Sequence, residues 1–406
     1  MTTSGARSGK RVHFIANGLY GNHFGGGDLH FFEMAKAAGQ AGYEVNFFGG
    51  EAFKKHWEAR KLPGSLTLTD KGILPTMDEE KLPGQLALLF DHFGRFWRTL
   101  QQLSTIREDE YVYATSDYWF DAIPAMLCKA SRKIMVFHME FPTLRQIILK
   151  SRADVSGTRL ASLYNWLSQN LMLRCFRSRK NKRVLFLHAF MKPRLLKLGY
   201  KESELQDISY GVDISLARTV PEQKKVYDVV WIGRVHRQKG IDDLLQTLAY
   251  VADRVPEFRA ILIGNLQAKL GSTIKELGIT KQVEFSGFVS ETEKYRLFKS
   301  SRVFVMPSLH EGSPRVIGEA LACDLPVVAY NIVTYRPLFG ELIRYVPCFD
   351  VQALQNEVER QVLQVRAGKN YLSKMNLDQF QEENSWETAH QKFCLTLQSM
   401  AVAKSV

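Results

Sequence analysis

An alternation of short apolar runs and helical stretches passes through this chain twice, and it limits the fold more than any other feature. In the first half, Arg11–Ala16 (RVHFIA) is a strand candidate. The glycine-rich loop GLYGNHFGGG follows, and then Asp28 to Ala41, where Leu29, Phe32, Met34 and Ala35 sit at helical spacing. Val45–Phe48, Ser65–Thr69, Glu110–Thr115, Lys133–His138 and Arg183–His188 read as further short buried strands, with long helical stretches such as Leu86–Leu103 between them. The pattern restarts at Tyr227–Gly233 and continues through Ala260–Gly264, Val283–Gly287, Val303–Ser308 and Pro326–Tyr330. Helical segments at Ile241–Val251, Gln267–Leu277, Glu291–Lys299 and Pro314–Ala322 alternate with them. Strands alternating with helices predict parallel sheets covered on both faces. The turn-rich, charged stretch between Tyr210 and Asp228 is the natural break. A chain of 406 residues also exceeds a single core. The expected architecture is α/β: two doubly wound, Rossmann-like domains with a cleft between them.

Charge is concentrated in one place. The net charge is +12, and the stretch Arg145–Lys201 holds 14 Lys and Arg against a single acid, Asp154. That region should meet something anionic. No run of about 18 apolar residues predicts a spanning helix. The start, MTTSGARSGKRVHFIANG, lacks the apolar segment of a signal peptide. Five cysteines, far apart and without a CxxC pair, predict reduced thiols in a cytoplasmic setting and no zinc site.

In open parallel sheets, ligands bind beyond the carboxyl ends of the strands. The loops that follow each strand therefore carry the chemistry. In VWIGRVHRQKGIDDLL, a strand ends at Gly233, Arg234 and Lys239 flank the turn, and Gly240 opens a helix. Two cations beside a helix N-terminus suit a diphosphate. Read alone, they are equally ordinary loop charges. In LHEGSPRVIGEA, Ser313 reads as an N-cap and Pro314 as the first helical residue. Helical side chains tilt toward the N-terminus, so Glu319 leans back over the turn that contains Arg315. Glu311 stands just before the cap. Two hydrogen-bond acceptors bordering an anion-friendly helix end suit a ligand with phosphates and hydroxyls, such as a nucleotide sugar. Taken singly, Glu311 favours the helix dipole and Glu319 is an ordinary helical glutamate.

The segments GGGDLHFFEMAKAAGQAGYEV, YGVD, GRVHRQKGIDDLL and EGSPRVIGEALACDLPVVA together resemble the family 4 glycosyltransferases of the GT-B fold, with their Glu-x7-Glu motif. The resemblance runs from Arg11 to the C-terminal helix. It implies a retaining enzyme that moves a hexose-type sugar from a nucleotide-diphosphate sugar to an acceptor hydroxyl, with no metal and no other cofactor. It implies that Glu311 contacts the donor sugar, Glu319 holds the ribose, and Arg234 and Lys239 neutralise the diphosphate. Ser313, Pro314 and Arg315 would border the donor. Gly26 and Gly27 would form a tight loop near the donor phosphate or acceptor, and His138 would lie near the reacting sugar. The implied domains are 1–208 for the acceptor, 209–380 for the nucleotide sugar, and 381–406 as a helix crossing back to the first domain. Three positions depart from the family pattern: Tyr210 replaces an asparagine, Asp324 replaces a glycine, and LHAF follows the Arg183 strand.

The stretch Arg159–Phe176 places Leu160, Leu163, Tyr164, Leu167 and Leu171 at helical spacing, followed by a dense basic run to Arg183. One reading is a core helix with a solvated end. The other is a surface that docks on anionic lipid, giving a cytoplasmic enzyme peripheral on the inner face of the cell membrane. The acceptor would then be a lipid-linked or cell-surface glycan, as in polysaccharide biosynthesis. Three alternatives compete. A nucleic-acid binder would show steep salt dependence, but no helix-turn-helix, RNP or zinc pattern is present, so no nucleic-acid partner is expected. A GT-B sugar-nucleotide epimerase would need no acceptor. A catalytically silent interaction module would lack turnover.

Overall fold

The computed structural model describes residues 10–19, 25–70, 82–141, 143–149, 159–209, 211–311 and 314–402. The chain divides into two compact units. One comprises Met1–Leu144, Arg159–Tyr210 and Glu387–Val406, the other Arg145–Thr158 and Gly211–Trp386.

The first unit opens with β1 (Arg11–Ala16), α1 (Gly26–Gln40), β2 (Glu44–Gly49), α2 (Glu51–Ala59), β3 (Ser65–Leu68) and α3 (Leu82–Gln102). Then come β4 (Tyr111–Ala114), α4 (Trp119–Leu127), β5 (Arg132–Phe137), α5 (Leu144–Leu149), α6 (Arg159–Arg177), β6 (Lys182–Phe186), α7 (Lys192–Lys197) and β7 (Leu205–Asp207). Residues 145–149 of α5 group with the second unit. The sheet is parallel, in the order β3-β2-β1-β4-β5-β6-β7. Strand order therefore reverses between β1 and β4, and loops leaving that point diverge to leave a crevice.

All six residues of β5 are buried, including two cations. Burial is tolerable because both are satisfied. The Lys133 ammonium donates to the carbonyls of Ala125 and Cys128 at 2.8 and 2.9 Å. Arg132 lies over the Tyr111 ring, 4.8 Å from its centroid, and donates to Met400 O at 3.3 Å.

The second unit contains α8 (Ile214–Thr219), β8 (Tyr227–Ile232), α9 (Ile241–Arg254), β9 (Ala260–Ile263), α10 (Gln267–Glu276), β10 (Val283–Gly287) and α11 (Glu291–Lys299). It continues with β11 (Ser301–Met306), α12 (Arg315–Ala322), β12 (Val327–Tyr330), α13 (Tyr335–Phe339), β13 (Arg344–Val346), α14 (Val351–Arg366) and α15 (Lys374–Glu383). Its sheet is parallel too, in the order β10-β9-β8-β11-β12-β13, with the reversal between β8 and β11. The core is one continuous cluster in which Trp231, Tyr295 and Tyr335 are fully buried. The last helix, α16 (Trp386–Val402), lies mostly in the first unit, where Tyr111 Oη donates to Leu397 O at 2.8 Å.

Two sequence expectations shift. Helix α1 begins at Gly26, because the Asp28 carboxylate accepts from Gly25 N at 2.7 Å and caps the helix early. Gly26 and Gly27 are thus first-turn helical residues, not loop residues. Helix α12 begins at Arg315, so Pro314 is its N-cap and not its first helical residue. Asp324, standing where the family pattern has glycine, takes a left-handed conformation with φ of 53°. Aspartate tolerates that region better than most residues. Ser313 and Tyr210 lie outside the described residues.

Candidate active site

In the second unit, the loops after β8 and β11 leave the sheet on either side of its reversal point. Hydrogen bonds tie them together. Leu309 N donates to Gln238 O at 2.8 Å, and Gln238 Nε2 donates to His310 O at 2.6 Å. Gly240 sits at φ of 61°, and a Cβ there would stand 2.0 Å from Pro307 O. This close approach brings Lys239 to Glu311, whose Oε1 accepts from the ammonium at 2.5 Å. A third loop joins them through Thr334 Oγ1, which donates to Glu311 O at 3.1 Å. Arg234 is exposed and makes no ion pair or hydrogen bond among the described residues.

Helix α12 carries the second glutamate. Glu319 is 2% exposed and lies between two cations, with Lys294 Nζ and Arg315 Nε each 2.9 Å from a carboxylate oxygen. Burial alone would push its carboxyl up. The ammonium of Lys294 and the guanidinium of Arg315 outweigh that and hold it below the usual range. Lys294 also meets Glu291 at 2.6 Å. Lys294 is not recognisable as a site residue from the sequence. Its one signal was a lysine on the buried side of α11 beside Tyr295 and Phe298.

The two helix mouths differ in electrostatics. Helix α9 already carries Asp242 and Asp243 in its first turn, which occupy the positive end of its dipole. Helix α12 has no acid in its first turn. Its mouth, beside Pro314 and Arg315, is the better anion site of the two.

In the first unit, β1 runs into Asn17, which no motif in the sequence marks. It is fully buried and satisfied on every side. Its N–H donates to Asp121 Oδ1 at 2.8 Å, and its side-chain amide donates to Thr99 Oγ1 and Phe120 O at 3.1 and 2.9 Å. Its side-chain carbonyl accepts from Thr69 at 3.0 Å. The start of the glycine-rich loop is therefore rigid, whereas residues 20–24 of that loop lie outside the described set. Gly27 faces His138: a Cβ at Gly27 would stand 3.5 Å from Nε2 and Cδ2 of the ring. His138 Nε2 has no hydrogen-bond partner among the described residues, although it is buried.

Burial pushes the His138 imidazole down to about 4, so the ring is neutral at ordinary pH. His138 binds fewer protons in the folded state than in the unfolded state, so it costs nothing above pH 6.5 and destabilises the unit as pH falls toward 4. Asp117 and Asp121 oppose this. Burial raises them to about 6 and about 7, and the strain of holding them charged is relieved as pH falls. The wild-type kcat/KM profile should show no His138 inflection between about pH 5 and 8. An inflection there that His138→Ala removes would show a titrating histidine instead.

The structure thus brings Lys239 to Glu311, and Arg315 to Glu319, within the second unit. It brings Gly27 to His138 within the first. Two Rossmann-like units with these strand orders define a fold of the GT-B type. Residues 215–365 match the model of the family described as glycosyl transferases group 1. An uncharacterized glycosyltransferase of Methanocaldococcus jannaschii is 23% identical over 261 residues, 63% of each chain. This and the next curated relatives are matched over less than two thirds of their length. Among solved structures, sucrose-phosphate synthase from Thermosynechococcus elongatus superposes with a TM-score of 0.70 at 16% identity, covering 97% of this chain and 100% of that one. The Anabaena protein HepE, in complex with UDP-glucose, gives 0.67 at 18% identity, covering 96% and 99%.

Proposed function

We propose that this protein is a retaining glycosyltransferase that moves a hexose-type sugar from a nucleotide-diphosphate sugar to an acceptor hydroxyl of a lipid-linked or cell-surface glycan. One observation carries the reading. Lys239 and Glu311, 72 residues apart, meet at 2.5 Å on loops that flank the reversal point of the second sheet. A cation for phosphate and an acceptor for hydroxyls are thereby aimed at one place, beside the mouth of α12. The glycosyltransferase group 1 match over the same segment, and the UDP-glucose held by the HepE neighbour, support it.

Each residue then has a task. Lys239 and Arg234 neutralise the diphosphate, together with the N–H groups of α12. Glu311 exchanges its ion pair for hydroxyls of the donor sugar. Glu319, braced by Lys294 and Arg315, accepts from the ribose hydroxyls. His138 is assigned to the transferred sugar as a neutral hydrogen-bonding group.

As the anomeric C–O bond breaks, its electron pair passes to the β-phosphate, and the sugar gains oxocarbenium character. Cations placed at the phosphates stabilise that charge more in the transition state than in the ground state. The acceptor oxygen forms the new bond on the same face, and its proton passes to the leaving phosphate. No metal ion is called for in this scheme, so turnover should persist in EDTA.

The test is incubation with UDP-, GDP- and ADP-hexoses and a glycan acceptor, followed by analysis of the product's anomeric configuration. Transfer with retention is expected. Epimerised donor without transfer, or an inverted product, would overturn the reading. The proposed setting is the cytoplasmic side of a membrane, with the basic stretch Arg145–Lys201 toward anionic lipid. Among the described residues, no helix is long and apolar enough to cross a membrane.

A further inference from the structure

Helices α3 and α6 of the first unit are apolar on two faces. Their inner faces are spent on the fold. Arg95 and Thr99 of α3 are buried and hold the Asn17 region, while Met172, Leu173 and Phe176 of α6 fill the core. Each helix also carries a second stripe at i, i+3 and i+7, and these stripes face outward. On α3 the stripe is Phe90, Phe93 and Trp97, which are 75%, 55% and 55% exposed. On α6 it is Tyr164, Leu167 and Leu171, which are 42%, 53% and 57% exposed. An apolar stripe on a helix is a face that wants cover.

Phe90, Phe93 and the α6 stripe line one groove of about 1000 Å³, with Trp119 and Ile123 of α4 also in its lining. Trp119 Nε1 donates to Tyr164 Oη at 2.5 Å and braces the two helices that carry them. Among the described residues that line the groove, Arg174 alone is charged. Beyond it the chain continues into Arg177, Arg179 and Lys180, and no acid occurs from Arg159 to Arg183. Arg177 and Lys180 are exposed and form no ion pair among the described residues.

We propose that this surface is a membrane-docking face, on which the α3 and α6 stripes insert into a bilayer rich in anionic phospholipid. Two features select a bilayer over a protein partner. Aromatic residues at the rim of an apolar face suit the headgroup boundary, where one end of the side chain is wet. A predominantly basic edge, where the nearby acid Glu204 is held by Lys182 at 2.6 Å, complements a uniformly negative surface, whereas a protein partner presents mixed charge.

The inner face of α6 adds a functional link. Gln169 donates to Met139 O at 2.9 Å and to Asp117 Oδ2 at 2.6 Å, and accepts from Phe141 N at 3.3 Å. The helix that meets lipid on its outer side thus holds the segment just after His138 on its inner side. This deepens the lipid-linked-acceptor reading and rests on it for its biological sense.

The test is flotation of the full chain with vesicles of phosphatidylcholine alone and of phosphatidylcholine with phosphatidylglycerol. Emission of the groove tryptophans is followed in parallel. Wild type should float with the anionic vesicles and shift its emission to the blue. The triple variant F90S/L167S/L171S, altered only at exposed positions, should bind at least about tenfold more weakly at every salt concentration, because apolar insertion is lost. The variant R177E/K180E should lose binding mainly at low salt. Failure of wild type to float on either vesicle would overturn the proposal. So would a wild-type dimer that F90S/L167S/L171S converts to monomer, which would mark the face as a copy-to-copy interface. Binding is read without donor or acceptor, so failure here leaves the glycosyltransferase reading standing, and loss of turnover leaves this one standing.

Discussion

Replacing Glu319 by alanine should destabilise the second unit by about 3–5 kcal/mol and abolish nucleotide binding. The stability loss comes from what remains behind. Lys294 is 4% exposed and would keep Glu291, whose side chain is 62% exposed, and the Tyr295 ring, 5.1 Å from its ammonium. Arg315 would lose the carboxylate that now orients it. Breaking one partner of a buried pair leaves an uncompensated charge, which costs far more than the pair is worth. Stability and function can be separated. The double variant Lys294→Met with Glu319→Leu removes the more deeply buried cation along with the acid, so urea melting should recover most of the loss, short of wild type because Arg315 still loses its carboxylate contact, while nucleotide binding stays lost. If the double variant binds nucleotide normally, Glu319 is purely structural. The pH sign follows from the depressed carboxyl. Its stabilising contribution is present above its ordinary value of 4.5 and is lost as pH falls below that value.

Substituting Gly240 by alanine should cost roughly 2–5 kcal/mol and remove donor binding. The residue has φ of 61°, a region that penalises any Cβ. The new methyl carbon would also lie 2.0 Å from Pro307 O, a backbone atom that cannot swing aside. The β8 and β11 loops must therefore part, and Lys239 would separate from Glu311. Gly278 is the control. Its φ is 72°, but nothing lies within 4 Å of its Cβ position, so Gly278→Ala should cost only about 1–2 kcal/mol. Equal melting of the two variants would show that the close approach at Pro307 carries no weight.

Much of this architecture was legible because buried parallel strands advertise themselves. Arg11–Ala16 and Val283–Gly287 are strands with the bounds read from their apolar runs. The strands β7 and β13 escaped because three residues show no periodicity. The start of α12 was misplaced by one residue, since proline serves both as N-cap and as first helical residue, and only backbone geometry distinguishes the two.

At the candidate site, the residues that follow strands were readable from position alone, and their pairing was not. Lys239 and Glu311 were both selected, yet nothing local says that each holds the other. Lys294 was invisible for the same reason: a buried lysine is explained only by a carboxylate that the sequence places on another helix. The stripe on α6 was readable as a stripe. Periodicity gives a face, but it does not give the neighbour. Tyr164, Leu167 and Leu171 face outward because the core is already filled by the opposite side of the same helix.

In the proposed mechanism, the β8 and β11 loops and the mouth of α12 hold a nucleoside diphosphate. Calorimetric titration of the wild-type protein with UDP, GDP and ADP in turn, repeated with Arg234→Ala, tests it most directly. Arg234 is exposed, so the variant should fold unchanged. One saturable site for one of the three nucleotides is expected, weakened about tenfold or more in the variant through loss of a charge-assisted contact. Absence of binding by all three, or a nucleotide that binds both proteins equally, would contradict it.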